Sequence, residues 1–282
     1  MKILTLNTHS LVEPGYENKL IEFANVIQKE RPQVFALQEV NQLREAMLAD
    51  IKEGFVSCKN DGSVIRKDNH AYRLADILEN MGLKYYWTWI GAKVGYGIYD
   101  EGMAIFSQDP IINTQQFFIS RNQSYTNWKT RKVLGVETGK EPCWYFCVHM
   151  GWWDDEEEPF VAQWDNFQSE IRARIPSYEK VWLLGDFNSP AEIRGEGYDY
   201  IKNCGWQDSW DLAESKDDGI TVGKVIDGWK ERCEDGTAIK GMRIDQIWCN
   251  YTAQVKSSKV ICNGENYPVV SDHYGIVIEV ER

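Results

Sequence analysis

The sequence contains little positive charge. Its 282 residues include 31 Lys and Arg against 43 Asp and Glu, which gives a formal net charge of −12. It also contains no run of five or more basic residues. Because affinity for nucleic acid comes largely from cations that neutralise phosphates, this composition disfavours a non-specific DNA- or RNA-binding protein. The same charge disfavours binding to an anionic membrane surface.

Long apolar stretches and cysteine pairs are missing as well. No stretch approaches the roughly 18 apolar residues of a transmembrane helix. Residues 1–7 have the pattern of a β-strand, without the apolar segment and the small-residue cleavage site of a signal peptide. The seven Cys form no Cys-x-x-Cys motif, so free thiols are expected rather than disulfides or a zinc site. These features predict a cytoplasmic protein with no membrane partner.

The sequence has no Gly/Ser-rich or Pro-rich linker and no short internal repeat, so we expect one domain over residues 1–282. Apolar periodicity predicts helices at 18–29, 160–175 and 193–203. A further helix is predicted to begin at a cap formed by Asp68 or Asn69 and to end just before Gly82. Strands are predicted at 3–6, 34–37, 85–90, 103–106, 111–118, 132–137, 144–149, 181–184, 244–249, 253–261 and 274–280. Many strands with few helices predict an α/β fold in which two sheets pack together with helices outside.

Polar side chains recur where the predicted strands end. The clearest case follows the apolar run 181–184, where Asp186 and Asn188 stand between Gly185 and Ser189-Pro190. Residues two apart in an extended chain point to the same side, so we expect these two side chains to lie next to each other. Taken alone, an Asp-x-Asn pattern is more often an Asx turn that begins a loop.

Other polar residues stand at or near strand ends, and each has an ordinary structural explanation as a turn, core or loop residue. They are Asn7, Glu39, His149, Asp245, Asp272 and His273. Asp245 is the hardest to explain in this way, because a carboxylate inside an apolar strand must be paired or ligated. Together these residues fit one chemistry: carboxylate and amide oxygens suit a hard cation such as Mg²⁺. Histidines and an amide can stabilise charge that develops on a phosphoryl group.

The order of these residues resembles the endonuclease/exonuclease/phosphatase superfamily. The matching segments are Leu6-Asn7, Gln38-Glu39, His149, Gly185-Asp186-Phe187-Asn188, Arg243-Ile244-Asp245 and Ser271-Asp272-His273. The resemblance implies a four-layer α/β sandwich, with two mostly antiparallel sheets face to face, helices outside and the site at one end of the sheets. It also implies cleavage of phosphoester bonds with Mg²⁺ or Mn²⁺.

The resemblance implies a role for each carboxylate and amide. Glu39 corresponds to the principal metal ligand, and Asn7 and Asp272 to residues that complete or support the metal site. Asp186 corresponds to the residue that positions or deprotonates the attacking water. Asn188 corresponds to the neighbour that orients the nucleophile or the phosphoryl oxygens.

It also implies roles for the basic residues. His149 and His273 correspond to the pair that contacts the scissile phosphate, with Asp245 bonded to His273. The general base is either the Asp or the His, and the sequence leaves both open. Glu101 resembles a family residue at the site rim. Arg131, in the Thr-Arg-Lys segment at 130–132, is interpreted either as a phosphate-binding residue or as a surface residue at a strand start.

Aromatic residues are abundant, with 12 Trp, 14 Tyr and 10 Phe. Several stand near the expected rim of the site: Trp87, Trp89, Tyr96, Tyr99, Tyr125, Trp128, Trp152 and Trp153. Exposed rings can stack on sugars, although each ring could instead be interior packing. The acidic run at 154–158 is expected in solvent, where it would repel a polyanion such as DNA.

The segments 68–74 and 85–89 are similar to a bacterial branch of the superfamily that includes maltose 6'-phosphate phosphatase. In that case His70 or Arg73 would reach the phosphate; the alternative is a surface residue at a helix start. The leading hypothesis is therefore a cytoplasmic, Mg²⁺-dependent phosphomonoesterase for a small sugar phosphate such as a disaccharide 6-phosphate. The alternatives are a phosphodiesterase of the nuclease or sphingomyelinase kind, and a non-catalytic binding module.

Overall fold

The structure is a computed structural model that describes residues 1–139, 143–177, 179–224, 226, 229 and 241–281. Five α-helices occur in these residues: α1 (Tyr16–Glu30), α2 (His70–Asn80), α3 (Phe160–Arg174), α4 (Gly197–Asn203) and α5 (Ser209–Leu212). The strands are β1 (Lys2–Asn7), β2 (Val34–Leu43), β3 (Tyr86–Gly95), β4 (Tyr99–Ser107), β5 (Ile111–Phe118), β6 (Lys132–Thr138), β7 (Cys143–His149), β8 (Lys180–Asp186), β9 (Gln207–Asp208), β10 (Ser215–Lys216), β11 (Asp245–Cys249), β12 (Val255–Ile261) and β13 (Gly275–Val280).

The strands form two sheets. The first has the order β10-β12-β13-β1-β2-β4-β3, and the second has the order β5-β6-β7-β8-β11-β9. Within them, β1–β2, β10–β12 and β7–β8 are parallel pairs, and the other neighbours are antiparallel. The prediction of two mostly antiparallel sheets is therefore confirmed.

Three apolar layers separate four layers of secondary structure. The outer layer under α1 and α2 contains Leu20, Phe23, Leu37, Val40, Leu74 and Leu78. The layer between the sheets contains Ile3, Ala36, Ile105, Leu184 and Ile247. The layer under α3 and α4 contains Trp164, Phe167, Val181, Leu183 and Ile201. Since Leu183 and Leu184 pack into different layers, β8 is apolar on both faces, which explains its continuous hydrophobic run. This is the expected four-layer α/β sandwich.

Most predicted elements are present, with shifted ends. Of the two possible caps of α2, Asp68 and Asn69, it is Asn69 that caps the helix, since its side chain accepts a hydrogen bond of 3.1 Å from the backbone N–H of Tyr72. The helix predicted from residue 193 begins only at Gly197. The strand predicted at 34–37 was too short, because β2 continues to Leu43.

The extension of β2 passes through a β-bulge at Glu39. Opposite β4, Leu37 pairs with Ala104 and Val40 with Gly102, so residues 38 and 39 together face one residue. Glu39 takes a left-handed backbone, with φ of 52°. Because of the extra residue, Leu37 and Val40 both pack under the helices although they are three positions apart. Glu39 thus lies within a strand, and the prediction that it ends one was wrong.

No helix in the described ranges is long and apolar enough to cross a membrane. The six cysteines in those ranges are free thiols, as the sequence predicted for them.

Candidate active site

A cleft of about 450 Å³ opens where β7 and β8 end. Most of the predicted site residues line it: Glu39, Arg131, His149, Trp152, Asp186, Asn188, Asp272 and His273. Asn7 and Asp245 stand behind this lining and are bonded to it. Strand pairing explains much of the convergence, because His149 of β7 and Asp245 of β11 both pair with Asp186 of β8. We call Asp186, His149, Asp245 and His273 the hydrolytic wall.

Asp245 and His273 form the closest pair of this wall. The Nδ1 atom of His273 lies 2.9 Å from the Oδ2 atom of Asp245, and both residues are buried. Burial lowers the pKa of His273, but the charge and hydrogen bond of Asp245 outweigh it and raise that pKa to about 10. The imidazole is therefore held as a cation at neutral pH. This ion pair explains how an apolar strand can contain the buried Asp245 carboxylate.

Asp186 differs from the His273 cation because its charge is not fixed at neutral pH. Burial, with the nearby charge of Asp245, raises the pKa of Asp186 to about 7, although the His273 cation lowers it. Its carboxylate accepts hydrogen bonds from the backbone N–H of Asn188 at 2.8 Å and from the Nδ2 atom of Asn7 at 3.2 Å. A carboxyl group with a pKa near neutral pH is suited to take and return a proton.

His149 is held neutral. Burial, with repulsion from the Arg131 and Lys93 cations, lowers the pKa of His149 well below its usual range. Its Nε2 atom lies 3.7 Å from the Oδ2 atom of Asp186, which is longer than a hydrogen bond. The neutral His149 and the cationic His273 thus both approach the Oδ2 atom of Asp186, with Nε2 atoms at 3.7 and 3.9 Å from it.

Two carboxylates, the half-buried Glu39 and the buried Glu101, form a second group next to this wall. Burial and repulsion from Glu101 raise the pKa of Glu39. The Nδ2 atom of Asn7 lies 2.9 Å from the Oε1 atom of Glu39, so this amide links Glu39 to Asp186. Glu101 lines the cleft and is buried, deeper than the rim position that the sequence indicated.

His9 also lines the cleft, and the sequence analysis missed it. Its Nδ1 atom lies 2.7 Å from the Oε1 atom of Glu13 and 3.7 Å from the Oδ1 atom of Asp272. Burial lowers the pKa of His9, but these carboxylates outweigh it and raise the pKa overall. A signal was present, since His9 follows Asn7 with the same two-residue spacing that linked Asp186 and Asn188.

Two buried cations lie in the cleft. Arg131 is 4% exposed, so its interpretation as a surface residue was wrong. Lys93 of β3 is 7% exposed, and its Nζ atom lies 3.2 Å from the Oε1 atom of Glu101. Sequence reasoning missed Lys93, although a lone lysine inside an apolar strand is the same kind of signal as Asp245.

Aromatic rings form another side of the cleft. Trp128 is 54% exposed, and its ring lies 5.8 Å from that of Trp152 between centroids. We call these two residues the aromatic wall; Tyr96 adds a third ring to the lining. Trp153 does not line the cleft, because it packs against Phe160 and Tyr200. The prediction that it binds substrate was therefore wrong.

Trp87 and Trp89 are not rim residues either. Both are almost completely buried in the layer under α1 and α2. The Nε1 atom of Trp89 donates to the backbone carbonyl of Val40 at 3.0 Å. The alternative of interior packing is correct for these two rings.

Comparison with known proteins identifies the family. The family model described as "Endonuclease/Exonuclease/phosphatase family" matches residues 4–273. The chain belongs to the endonuclease/exonuclease/phosphatase family. Members of this family hydrolyse phosphoester bonds, so the protein is a phosphoester hydrolase. No curated protein matches the chain significantly.

Solved structures of the family share the fold. A family protein from Leptotrichia buccalis is 31% identical, with a TM-score of 0.85 and complete coverage of both chains. A mannosyl-6-phosphatase from Bacteroides thetaiotaomicron is 17% identical, with a TM-score of 0.67 and complete coverage of both chains. TDP2 of D. rerio, solved with a single-stranded DNA product, is 13% identical, with a TM-score of 0.62 and coverage of 100% of this chain and 99% of that one.

Endonuclease/exonuclease/phosphatase enzymes generally depend on a divalent metal. The residues of this chain fit such an ion, because buried carboxylates that repel each other are stabilised by a cation between them. Glu39 and Glu101 approach this situation, since burial and the charge of Glu101 both raise the pKa of Glu39. The Asn7 amide donates to Glu39, so in this arrangement Asn7 supports the carboxylate rather than presenting an oxygen beside it.

Two other expectations were not met by this member of the family. His70 does not line the cleft; it is buried at the start of α2, with its Nδ1 atom 3.1 Å from the Tyr16 hydroxyl. Burial lowers the pKa of His70 to about 3, so it carries no charge for a phosphate. Arg73 forms an ion pair with Glu17, which leaves it outside the cleft as well.

The acidic run at 154–158 was expected in solvent, and this was wrong for two of its residues. Glu158 is buried and accepts hydrogen bonds from the backbone N–H groups of Arg121 at 2.8 Å and Asn122 at 2.6 Å. Asp155 pairs with Lys129 at 2.9 Å. These contacts tie the segment before β6 to the segment before α3, and so bring Trp128 next to Trp152.

Proposed function

We propose that the protein is a divalent-metal-dependent phosphomonoesterase that removes phosphate from a small sugar phosphate. The observation that carries this proposal is the composition of one cleft, which is lined both by residues of the hydrolytic wall and by a pair of tryptophan rings. Proton-transfer groups and a carboxylate metal site serve the phosphate. Exposed rings can stack on the apolar face of a sugar, and the net charge of −12 disfavours a polyanion.

The chain's own residues account for the steps of hydrolysis. Asp186, with its pKa near 7, takes a proton from the attacking water. The water oxygen bonds to phosphorus as the bond between phosphorus and the sugar oxygen breaks, and the departing sugar oxygen gains a proton from solvent. The His273 cation, held by Asp245, stabilises negative charge on the phosphoryl oxygens. Bound Mg²⁺ or Mn²⁺ at Glu39 would add a positive charge that polarises the phosphoryl group. Asp186 rather than His149 acts as the base, because burial and the neighbouring cations lower the pKa of His149 and make it a weak proton acceptor.

A sugar as the leaving group is supported by the aromatic wall. Trp128 offers an exposed face, and the Nε1 atom of Trp152 is buried without a hydrogen-bond partner among the described residues. A buried donor of this kind is satisfied by a ligand oxygen, and sugars provide hydroxyl groups. The presence of a mannosyl-6-phosphatase among proteins of this fold supports the same substrate class. A disaccharide 6-phosphate is the substrate that we would test first.

Phosphate release from a panel of compounds tests the proposal. The panel contains disaccharide phosphates, hexose phosphates, mononucleotides and bis-nitrophenyl phosphate, each with Mg²⁺, with Mn²⁺ and with EDTA. We expect metal-dependent release from sugar phosphates, with a higher kcat/KM than for mononucleotides. Turnover of the diester alone would overturn the monoesterase assignment.

A phosphodiesterase is the second candidate, and one observation favours it. Met47, Leu48 and Ile51 are exposed apolar side chains close together in the chain, as lipid-directed enzymes require. Hydrolysis of sphingomyelin in vesicles, compared with the sugar phosphates, distinguishes the two. A non-catalytic module is disfavoured because Asp186, Asp245 and His273 are all in place. The cytoplasmic location stays a prediction from the sequence.

A further inference from the structure

Lys93 and Arg131 place two positive charges next to each other in the cleft. Both side chains are more than nine-tenths buried. The Nζ atom of Lys93 and the Nη1 atom of Arg131 donate to the same acceptor, the backbone carbonyl of Trp128, at 2.8 and 3.3 Å. Two cations that converge on one carbonyl repel each other, and burial strengthens that repulsion.

Among the described residues, only one of these two cations has a direct ion pair. Lys93 is paired with Glu101 at 3.2 Å. Within the described ranges, Arg131 has no carboxylate within 4.0 Å of its guanidinium group. Its Nε atom is also buried without a hydrogen-bond partner there. A buried cation with an unsatisfied donor, lining a cleft, indicates that an anion from outside completes the site.

We propose that Lys93 and Arg131 together bind the unesterified oxygens of a phosphomonoester dianion, and that Lys93 thereby makes the enzyme prefer monoesters to diesters. This inference rests on the proposed function and adds a specificity determinant to it. A monoester carries about two negative charges near pH 7 and three unesterified oxygens. A diester carries one charge, and it would place an ester group where a monoester places a charged oxygen.

The chemistry of the two side chains fits this division of work. The planar Arg131 fork can contact two phosphate oxygens, whereas the Lys93 ammonium acts as a point charge. The Trp128 carbonyl fixes both cations, and its own ring forms the aromatic wall. Trp128 would therefore help to position both parts of the substrate, the phosphate through the two cations that its carbonyl holds and the sugar through its ring.

A selectivity measurement with Lys93→Met tests the proposal. We expect kcat/KM for nitrophenyl phosphate to fall about 10- to 100-fold, the effect of losing one charge-assisted hydrogen bond. We expect kcat/KM for bis-nitrophenyl phosphate to change by less than about threefold. Lys93→Arg, which keeps the charge, should recover part of the monoester activity.

Lys132→Met is the matched control. Lys132 is a buried lysine next to Arg131 in the chain, but its Nζ atom donates to the Gly91 carbonyl at 3.3 Å and it does not line the cleft. Its loss removes a buried charge, yet the monoester-to-diester ratio should stay unchanged. An equal fall of both activities in Lys93→Met, with an unchanged ratio, would mean that Lys93 only neutralises Glu101 and would overturn the proposal.

Binding of inorganic phosphate separates this inference from the proposed function. Isothermal titration calorimetry with phosphate and the Mg²⁺-loaded protein measures the anion site without turnover. We expect the Kd to rise about tenfold or more in Lys93→Met and to stay unchanged in Lys132→Met. Unchanged phosphate affinity in Lys93→Met would refute the anion site even in an active monoesterase. A wild-type protein that binds phosphate through Lys93 but releases none from monoesters would instead refute the proposed function.

Discussion

The hydrolytic wall and the aromatic wall are built in different ways. His149, Asp186 and Asp245 occupy neighbouring strands and face each other through strand register, in residues with little or no exposure. Trp128 and Trp152 lie in connecting segments and meet only because side chains tie those segments together. One wall is therefore fixed by backbone hydrogen bonds, and the other by a few side-chain contacts. We therefore expect the geometry of the hydrolytic wall to be rigid, and we expect substitutions in the aromatic wall to change substrate preference easily.

The largest effect is expected from Asp186→Asn. This substitution keeps the shape of the side chain but removes the proton acceptor, so kcat should fall about 10²- to 10⁴-fold. Phosphate release from the preferred sugar phosphate measures it, with circular dichroism as a check of folding. Asp199→Asn is the matched control. It removes the ion pair between Asp199, a residue of α4, and Arg194, and it should leave kcat unchanged. Near-normal turnover in Asp186→Asn would assign the base to another residue.

The pH dependence of the free energy of unfolding of Asp245→Asn should reveal the buried ion pair between Asp245 and His273. The pKa of His273 in the folded protein is about 10, above its usual value of 6.5, so its stabilisation is fully present below pH 6.5 and is lost as pH rises through 10. The variant should be about 3 kcal/mol less stable than wild type near pH 6, and the difference should shrink towards pH 10.5. Urea unfolding in EDTA at several pH values measures this. A difference that does not depend on pH would show that the pair is not ionic.

Substitution of the aromatic wall should affect binding rather than chemistry. Trp128→Ala removes an exposed ring that positions the sugar, so KM for the sugar phosphate should rise about tenfold with little change in kcat. Trp153→Ala provides the comparison, because Trp153 neighbours Trp152 but packs away from the cleft. If both variants raise KM equally, the effect comes from the fold of the segment and not from stacking.

The smallest effect is expected from the contact between the two segments of the aromatic wall. Lys129→Met removes the ion pairs with Asp155 and Glu157, together with the contact of the ammonium group with the Trp128 ring. Partly exposed ion pairs of this kind are worth about 1 kcal/mol at most. We expect KM for the sugar phosphate to rise about two- to fivefold, with kcat unchanged. High salt should reduce the difference from wild type, because salt screens such pairs. A loss of kcat would mean that this contact also supports the hydrolytic wall.

The same contrast explains what the sequence could predict. Asp186, Asn188 and His149 follow apolar runs, and a residue at the end of a run is placed by the strand itself. Glu39 was identified but misplaced, because the bulge that extends β2 leaves no simple trace in an alternating pattern. Trp152 and Trp153 could not be told apart, since their orientation depends on Phe160 and Tyr200, which belong to later helices. His70 failed for a similar reason, because its partner Tyr16 comes from another helix.

The bulge in β2 makes the position of Glu39, the proposed metal ligand, depend on the number of residues in the strand. Because residues 38 and 39 together occupy one position opposite β4, removal of a single residue there would let the two strands pair without interruption. No charged group would have to change, and the apolar layer could still form from Leu37 onwards. Deletion of one residue from this strand is therefore expected to give a protein that folds but has no activity. Such a protein would be inactive although every charged residue of the cleft is still present in its sequence.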